Sequence, residues 1–212
     1  MSSQASDLEL VLQFSSAADD WYKWWPRRMR RVPFHILADR NYATGWIRRL
    51  SHSPFSHVDM MLEDGSMLGA SDNPNSPVVV GNPRGVAVRP QGYQPFSYRR
   101  RMTLLTDRAN DIRAIAKTQI GKTFDNSGLK DFLSDKFPGQ RDWRLDSSWW
   151  CSELVLWSLD VGGFWQPRRV MWPKNRCSPT DLLLLLVMDH RWINRETFWN
   201  PIPGLQLGPD EK

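Results

Sequence analysis

Trp149-Trp150-Cys151-Ser152-Glu153-Leu154-Val155 is the stretch whose reading decides the fold. Cys151 opens an apolar, helix-spaced run that stops at Gly162-Gly163, and Asp146, Ser147 and Ser148 just before it are capping residues by type. The reading is an amphipathic helix with a cysteine in its first turn. A thiol there meets the positive end of the helix dipole and unpaired backbone N–H groups, both of which favour the reactive thiolate. The competing reading is a buried structural cysteine, a common fate for this residue type, packed by Trp149, Trp150, Leu154, Val155 and Leu159.

Upstream, Ser56-His57-Val58-Asp59-Met60-Met61-Leu62 reads as a strand that runs into Glu63-Asp64-Gly65-Ser66, a hairpin turn, with Met67–Ser71 as the second arm. A cysteine on a helix start and a histidine on a strand are the two halves of a thiol hydrolase, and each lends weight to the other. Strands are also predicted over residues 8–14, 33–38, 78–80, 85–89 and 99–106, and short helices over 17–25 and 44–50. Asp107 is expected to cap a helix carrying Ala109, Ile112, Ile115, Ala116 and Ile120 on one face, ended by Gly121. A further helix is expected near 127–137, and Ser178-Pro179-Thr180-Asp181 should open a leucine-rich one. Strands precede residue 107 and helices follow it, so the class is α+β.

The 212 residues suit one domain with a real core. Twelve tryptophans make that core, or a groove beside it, aromatic. The net charge of +5 is concentrated in Arg27-Arg28-Met29-Arg30-Arg31 and Arg99-Arg100-Arg101. These runs suit either an anionic partner or a solvated face with guanidinium groups stacked on tryptophan. The second is preferred, because no nucleic-acid motif accompanies the charge and no nucleic-acid partner is expected.

Two cysteines, Cys151 and Cys177, make no disulfide framework and fit a reducing compartment. The first seven residues are polar, without a signal-peptide apolar region, so synthesis in the cytoplasm is expected. Leu182–Met188, the longest apolar run, is too short to span a bilayer. His35, His52 and His190 show no metal-ligand spacing with one another or with the cysteines, so neither metal nor cofactor is expected. Cys177 reads as a bystander, Glu153 as a structural hydrogen-bonding or ion-pair residue, and Asp125 as a turn, capping or cleft-shaping residue. Asp19-Asp20 and Asp59 are paired carboxylates only in the loosest sense, and nothing points to glycoside hydrolysis.

Four fragments occur in order: Ser56-His57-Val58 with Glu63-Asp64-Gly65, then Gly121-Lys122-Thr123-Phe124-Asp125, then Cys151-Ser152-Glu153-Leu154-Val155, then Ser178-Pro179-Thr180-Asp181-Leu182. Together they resemble the NlpC superfamily of papain-like cysteine hydrolases in its circularly permuted branch. In the standard branch the cysteine helix comes first, whereas here His57 precedes Cys151 by ninety-four residues. The resemblance covers residues 33 to 187 and treats 1–32 and 188–212 as terminal extensions, available for docking. It implies an antiparallel sheet packed on helices, Cys151 as nucleophile, His57 as its base, and acyl transfer through a covalent thioester. Backbone N–H groups around Cys151 would be the oxyanion donors.

The family's third residue, which orients the histidine from the neighbouring strand, aligns with Gly69, twelve positions after His57. Hairpin arithmetic supplies a substitute. A two-residue Asp64-Gly65 turn pairs Glu63 with Ser66 and brings His57 opposite Asp72, whereas a bulge would bring Ser71 there. Asp72 is the choice. The resemblance further implies cleavage of an amide in peptidoglycan peptide, in a phage tail or baseplate setting. Two alternatives stand beside it. One is a lipid or other acyl ester or amide substrate for the same fold. The other is an assembly protein with a degenerate site, to which Gly69 lends support.

Overall fold

The computed structural model describes residues 8–17, 55–93, 96–126, 147–166 and 177–198. The helices and strands expected over 17–25, 33–38, 44–50 and 127–137 lie outside the described residues, as do the Arg27–Arg31 run, His35, His52 and the capping candidate Asp146. The chain is α+β. Eight strands form one sheet: β1 (Glu9–Ala17), β2 (His57–Met61), β3 (Met67–Ser71), β4 (Val80–Gly81), β5 (Gly85–Arg89), β6 (Phe96–Leu105), β7 (Thr123–Phe124) and β8 (Ser148–Trp149). Their spatial order is β6-β1-β2-β3-β5-β7-β8, with β4 paired to β5, and every pairing is antiparallel except β7 with β8. Among the described residues three helices lie after β6, α1 (Ala109–Lys117) before β7, and α2 (Cys151–Val161) and α3 (Pro179–Val187) after β8, then a single turn at Arg195–Phe198.

Alternation along the strands makes the core. Leu10, Leu12 and Phe14 of β1 are wholly buried, and they cluster with Val58 and Met60 of β2, Met102 and Leu104 of β6, and Leu154, Val155 and Leu159 of α2. Helix α2 lies on β2 and β3 and against α1. Its close approach to α1 requires a residue without a side chain at Gly162, where a Cβ would stand 2.5 Å from Ile112 Cγ1.

Strand β1 lies within the sheet rather than at its edge. Residues 9–17, which fall in the expected amino-terminal extension, form a strand between β2 and β6, paired with β6 over Glu9–Ala17 and with β2 over Val11–Ser15. Without it the sheet would be cut in two, with Val58, Met60, Met102 and Leu104 uncovered. At the other end of the chain, Trp192 bridges Leu104 and Asn194 Oδ1 accepts from Thr103 N at 2.8 Å, so residues past 188 cover the outer edge of β6.

The hairpin between β2 and β3 also differs from the expected one. Leu62 N donates to Ser66 O (2.8 Å) and Gly65 N to Leu62 O (3.0 Å), which makes Glu63-Asp64-Gly65 a three-residue loop. Gly65 takes φ +81°, the left-handed position that such loops give to glycine, and Asp64 Oδ1 accepts from Ser66 N and Oγ. Pairing is therefore Met61 with Met67 and Met60 with Leu68, one residue away from the two-residue-turn register. Continued back, it sets Asp59 opposite Gly69 and His57 opposite Ser71, and it turns Asp72 away from the histidine's row.

Two of the three expected helix caps move. Helix α1 begins after Arg108 without a side-chain cap; instead the end of β6 supplies acceptors, Thr106 Oγ1 for Arg108 N (3.2 Å) and Thr106 O for Ala109 N (3.4 Å). Helix α2 takes Trp150 as N-cap because Ser148, expected as the cap, is drawn into β8 by pairing with Thr123. Helix α3 keeps the expected capping box: Ser178 Oγ accepts from Asp181 N (3.1 Å) while the Asp181 carboxylate accepts from Ser178 N (2.9 Å).

Candidate active site

Cys151 is the first residue of α2, and what precedes it fixes where the thiol lies. Phe124 pairs with Trp149, and Asp125 N donates to Trp149 O at 3.0 Å. The Trp149 indole donates to Gln119 Oε1 (3.1 Å), stacks on Trp157 and lies under the Lys122 ammonium. Trp150 then turns into the helix with its N–H donated to Glu153 Oε2 at 3.4 Å, which gives buried Glu153 a structural role. The first intrahelical bond is Leu154 N to Trp150 O. The N–H groups of Cys151, Ser152 and Glu153 thus have no acceptor within the helix and gather at its positive end.

His57 opens β2 and meets this helix end. Its ring lies close enough to Cys151 for the sulfur's charge to act on it. The Nε2 atom lies 2.9 Å from Asp59 Oδ1 and 3.0 Å from the Tyr93 hydroxyl. Tyr93 in turn donates to the Asp59 carboxylate, 3.0 Å from Oδ2 and 3.3 Å from Oδ1. Asp59 is fully buried. Residues two apart on a strand share a face, so Asp59 reaches the imidazole from the histidine's own strand.

Gly69 explains how the carboxylate fits. A Cβ placed on Gly69 would stand 1.9 Å from Asp59 Oδ1 and 3.0 Å from its Cγ. The glycine leaves, on the neighbouring strand, the space that the Asp59 carboxylate occupies. The Gly69 carbonyl is held by Arg89 Nη1 at 2.8 Å. Arg89 is buried and spreads its guanidinium over further carbonyls, those of Ala87 (3.3 Å), Gly85 (3.0 Å) and Pro83 (3.4 Å). It also lies 5.3 Å from the centre of the Tyr93 ring. Arg89 thereby ties the Asp59 pocket to the tyrosine that closes it.

The electrostatics follow from this packing. Burial alone would depress the His57 pKa. The charge of Asp59 and then that of the Cys151 sulfur outweigh burial, helped by hydrogen bonds to both, and raise the ring from 6.5 to about 10. Removal from water, and then the Asp59 charge, push the Tyr93 hydroxyl well above its ordinary range. Tyr93 therefore remains a phenol at neutral pH and a standing donor to Asp59.

The sequence-derived candidates divide accordingly. Cys151 and His57 are brought within electrostatic reach of each other. Asp72 lies just past the end of β3 and makes no hydrogen bond to His57; the three-residue loop has shifted the register, and Asp59 holds the ring instead. Ser71 faces His57 by register, and its Oγ accepts from Asn73 N at 3.3 Å. Cys177 is buried at the start of α3, and its Sγ donates to Ser178 O at 3.6 Å. Asp125 is buried, with its backbone on Trp149, and His190 lies beside Asp189 at the surface. Asp59, Tyr93 and Arg89 went unrecognised in the sequence, although His57-x-Asp59 on a predicted strand was a readable signal. Among the described residues no group of three or more His, Cys, Asp or Glu could hold a metal ion, and no helix is long and apolar enough to cross a membrane. In comparisons with known proteins, no family model, no curated protein and no solved structure matches this chain, so the reading of the site rests on its own residues.

Proposed function

We propose that the chain is a cysteine hydrolase of the circularly permuted papain-like class, with Cys151 as nucleophile, His57 as its proton partner and Asp59 as the residue that orients the ring. One observation carries the reading: a buried imidazole within electrostatic reach of a sulfur at a helix start, and bonded through Nε2 to a carboxylate. Asp59 and Tyr93 occupy Nε2. The raised pKa keeps the ring protonated at neutral pH, with a proton to give during the reaction. The thiolate attacks a carbonyl carbon, and the N–H groups at the head of α2 receive the developing oxyanion. His57 passes its proton to the leaving amine or alcohol. Water, deprotonated by the then neutral ring, releases the thioester as acid.

Support for the permuted arrangement comes from chain order, with the histidine strand before the cysteine helix, and from a mostly antiparallel sheet packed on that helix. The degenerate-site alternative loses its main support, since Gly69 marks the space filled by Asp59 rather than a missing function. Within this proposal the substrate is the amide of a peptidoglycan peptide and the setting a phage tail or baseplate, both drawn from the resemblance. The test is turnover of purified peptidoglycan and of a panel of small acyl esters and amides by parent and Cys151→Ala. Loss of turnover only in the variant is expected. Equal turnover by both, or none by either, would overturn the reading.

A further inference from the structure

Arg89 is the buried charge that the acyl-transfer chemistry leaves unused. It ends β5 and is wholly removed from water, where arginine is rarely found without a carboxylate beside it. Among the described residues no carboxylate forms an ion pair with Arg89. Its charge is met instead by four main-chain carbonyls, and the shortest of these bonds runs from Nη1 to Gly69 O at 2.8 Å. A rigid fork of N–H donors can serve several acceptors at once, which a single ammonium cannot do in the same geometry.

The sheet shows what the fork is set against. Strand β3 lies between β2 and β5, with Met67 opposite Arg89 and Gly69 opposite Ala87. Directly opposed residues of antiparallel strands point to one side, as do residues two apart on a strand. Arg89, Gly69 and, one strand further, Asp59 therefore share a face. Two paths lead from the guanidinium to the Asp59 carboxylate. One is the Gly69 backbone, whose carbonyl is on Arg89 and whose missing Cβ would meet Asp59 Oδ1 at 1.9 Å. The other is Tyr93, with its ring centre 5.3 Å from Arg89 Cζ and its hydroxyl 3.0 Å from Asp59 Oδ2. The phenol feels both charges: burial and then Asp59 raise its pKa, and the Arg89 charge opposes them.

We infer that Arg89 is a positioning residue of the active site, acting through Gly69 and Tyr93 to hold the Asp59 carboxylate against His57. The inference rests on the hydrolase reading and carries the site from β2 across β3 to β5. A staple that only stabilised β5 would leave the histidine's titration alone. Arg89 acting through Asp59 changes it, and in the direction that charge alone does not give. Loss of a nearby cation would by itself raise the His57 pKa, whereas a carboxylate released from the ring lowers it.

The test follows the His57 ring by NMR titration and kcat by turnover of small acyl esters. It uses the full chain as parent, Arg89→Met, Asp59→Asn and the two substitutions combined. Arg89→Met should lower kcat by about 100-fold, the scale of a catalytic group misplaced by an ångström. It should also move the His57 midpoint down by about one pH unit. Added to Asp59→Asn it should change kcat by no more than about twofold, because the group through which it acts is already gone. Arg89→Lys keeps the charge without the fork and should fall between the parent and Arg89→Met in both readings. It gives the same direction should the methionine variant not fold. An active parent whose His57 midpoint is unmoved in both Arg89 variants, or a kcat loss that adds in full to that of Asp59→Asn, would overturn the positioning role alone. A parent that turns over no substrate would overturn the hydrolase reading, and the role of Arg89 with it.

Discussion

Cys151 and Cys177 are a natural experiment within one chain. Both are buried free thiols, and both lie at the start of a helix: Cys151 as the first residue of α2, Cys177 just before the Ser178 cap of α3. They even communicate, since Ser152, the neighbour of Cys151, donates its hydroxyl to the Cys177 carbonyl at 2.5 Å. Among the described residues only Cys151 is within electrostatic reach of an imidazole, that of His57. Cys177 faces a carbonyl, and burial, followed by the charges of Asp181, Cys151 and Glu153, pushes its thiol well above the ordinary range. A helix N-terminus is thus not enough to arm a cysteine. Under the hydrolase proposal, the His57 side chain set near Cys151 makes the difference.

The largest effect should come from exchanging the two thiols' fates. Cys151→Ala should abolish turnover, while Cys177→Ala should leave kcat/KM within about threefold of the parent and cost roughly 1 kcal/mol of stability, the scale of a small core truncation. Steady-state kinetics and urea unfolding read both. Equal loss of activity in the two variants would erase the distinction.

Next in size is the carboxylate behind the histidine. Asp59→Asn should lower kcat by about 10²- to 10⁴-fold, as loss of the orienting acid does in hydrolytic triads. The sign with pH follows from the raised His57 pKa. The stability that protonated His57 contributes is full below its ordinary pKa of 6.5 and is lost as pH rises through about 10. The parent should therefore lose both stability and activity on that alkaline limb, and Asp59→Asn should move the limb to lower pH. Thermal melts and kcat/KM profiles between pH 6 and pH 11 check it. Asp72→Asn in the same assays should match the parent.

Gly69→Ala sharpens the argument without touching a titrating group. Its methyl would displace the Asp59 carboxylate, so a loss of about 10- to 100-fold in kcat is expected, with part of the proton-transfer contribution gone. A Gly69→Ala protein as active as the parent would show that the carboxylate need not sit where it does. The smallest effect should be Tyr93→Phe, which removes one donor to Asp59 and leaves the ring over Arg89. About a tenfold fall in kcat is expected, the worth of one hydrogen bond to a charged group. The alkaline limb should shift less than in Asp59→Asn.

Much of this was legible locally. The spans of β3 and β5, the start of α2 at Cys151 and the capping box of α3 all follow from alternation, apolar spacing and cap chemistry within a few residues. The His57–Asp59 spacing was equally local, yet Asp59 read as one more strand carboxylate, because nothing nearby says which polar side chain will be buried. Tyr93, in a Pro/Gly-rich loop, carried no signal, because its bond to His57 joins residues 36 apart.

The sequence by itself determined a cysteine at a helix head and a histidine on a strand, since each depends on period and composition alone. The tertiary structure decided what the two would do. The choice of a three-residue loop over a two-residue turn, set by Gly65 at φ +81°, moves the register by one and puts Gly69 rather than a side chain opposite Asp59. In a structure of period two, one residue exchanges the faces of a strand, and so exchanges Asp72 for Asp59 as the group that holds His57 against Cys151.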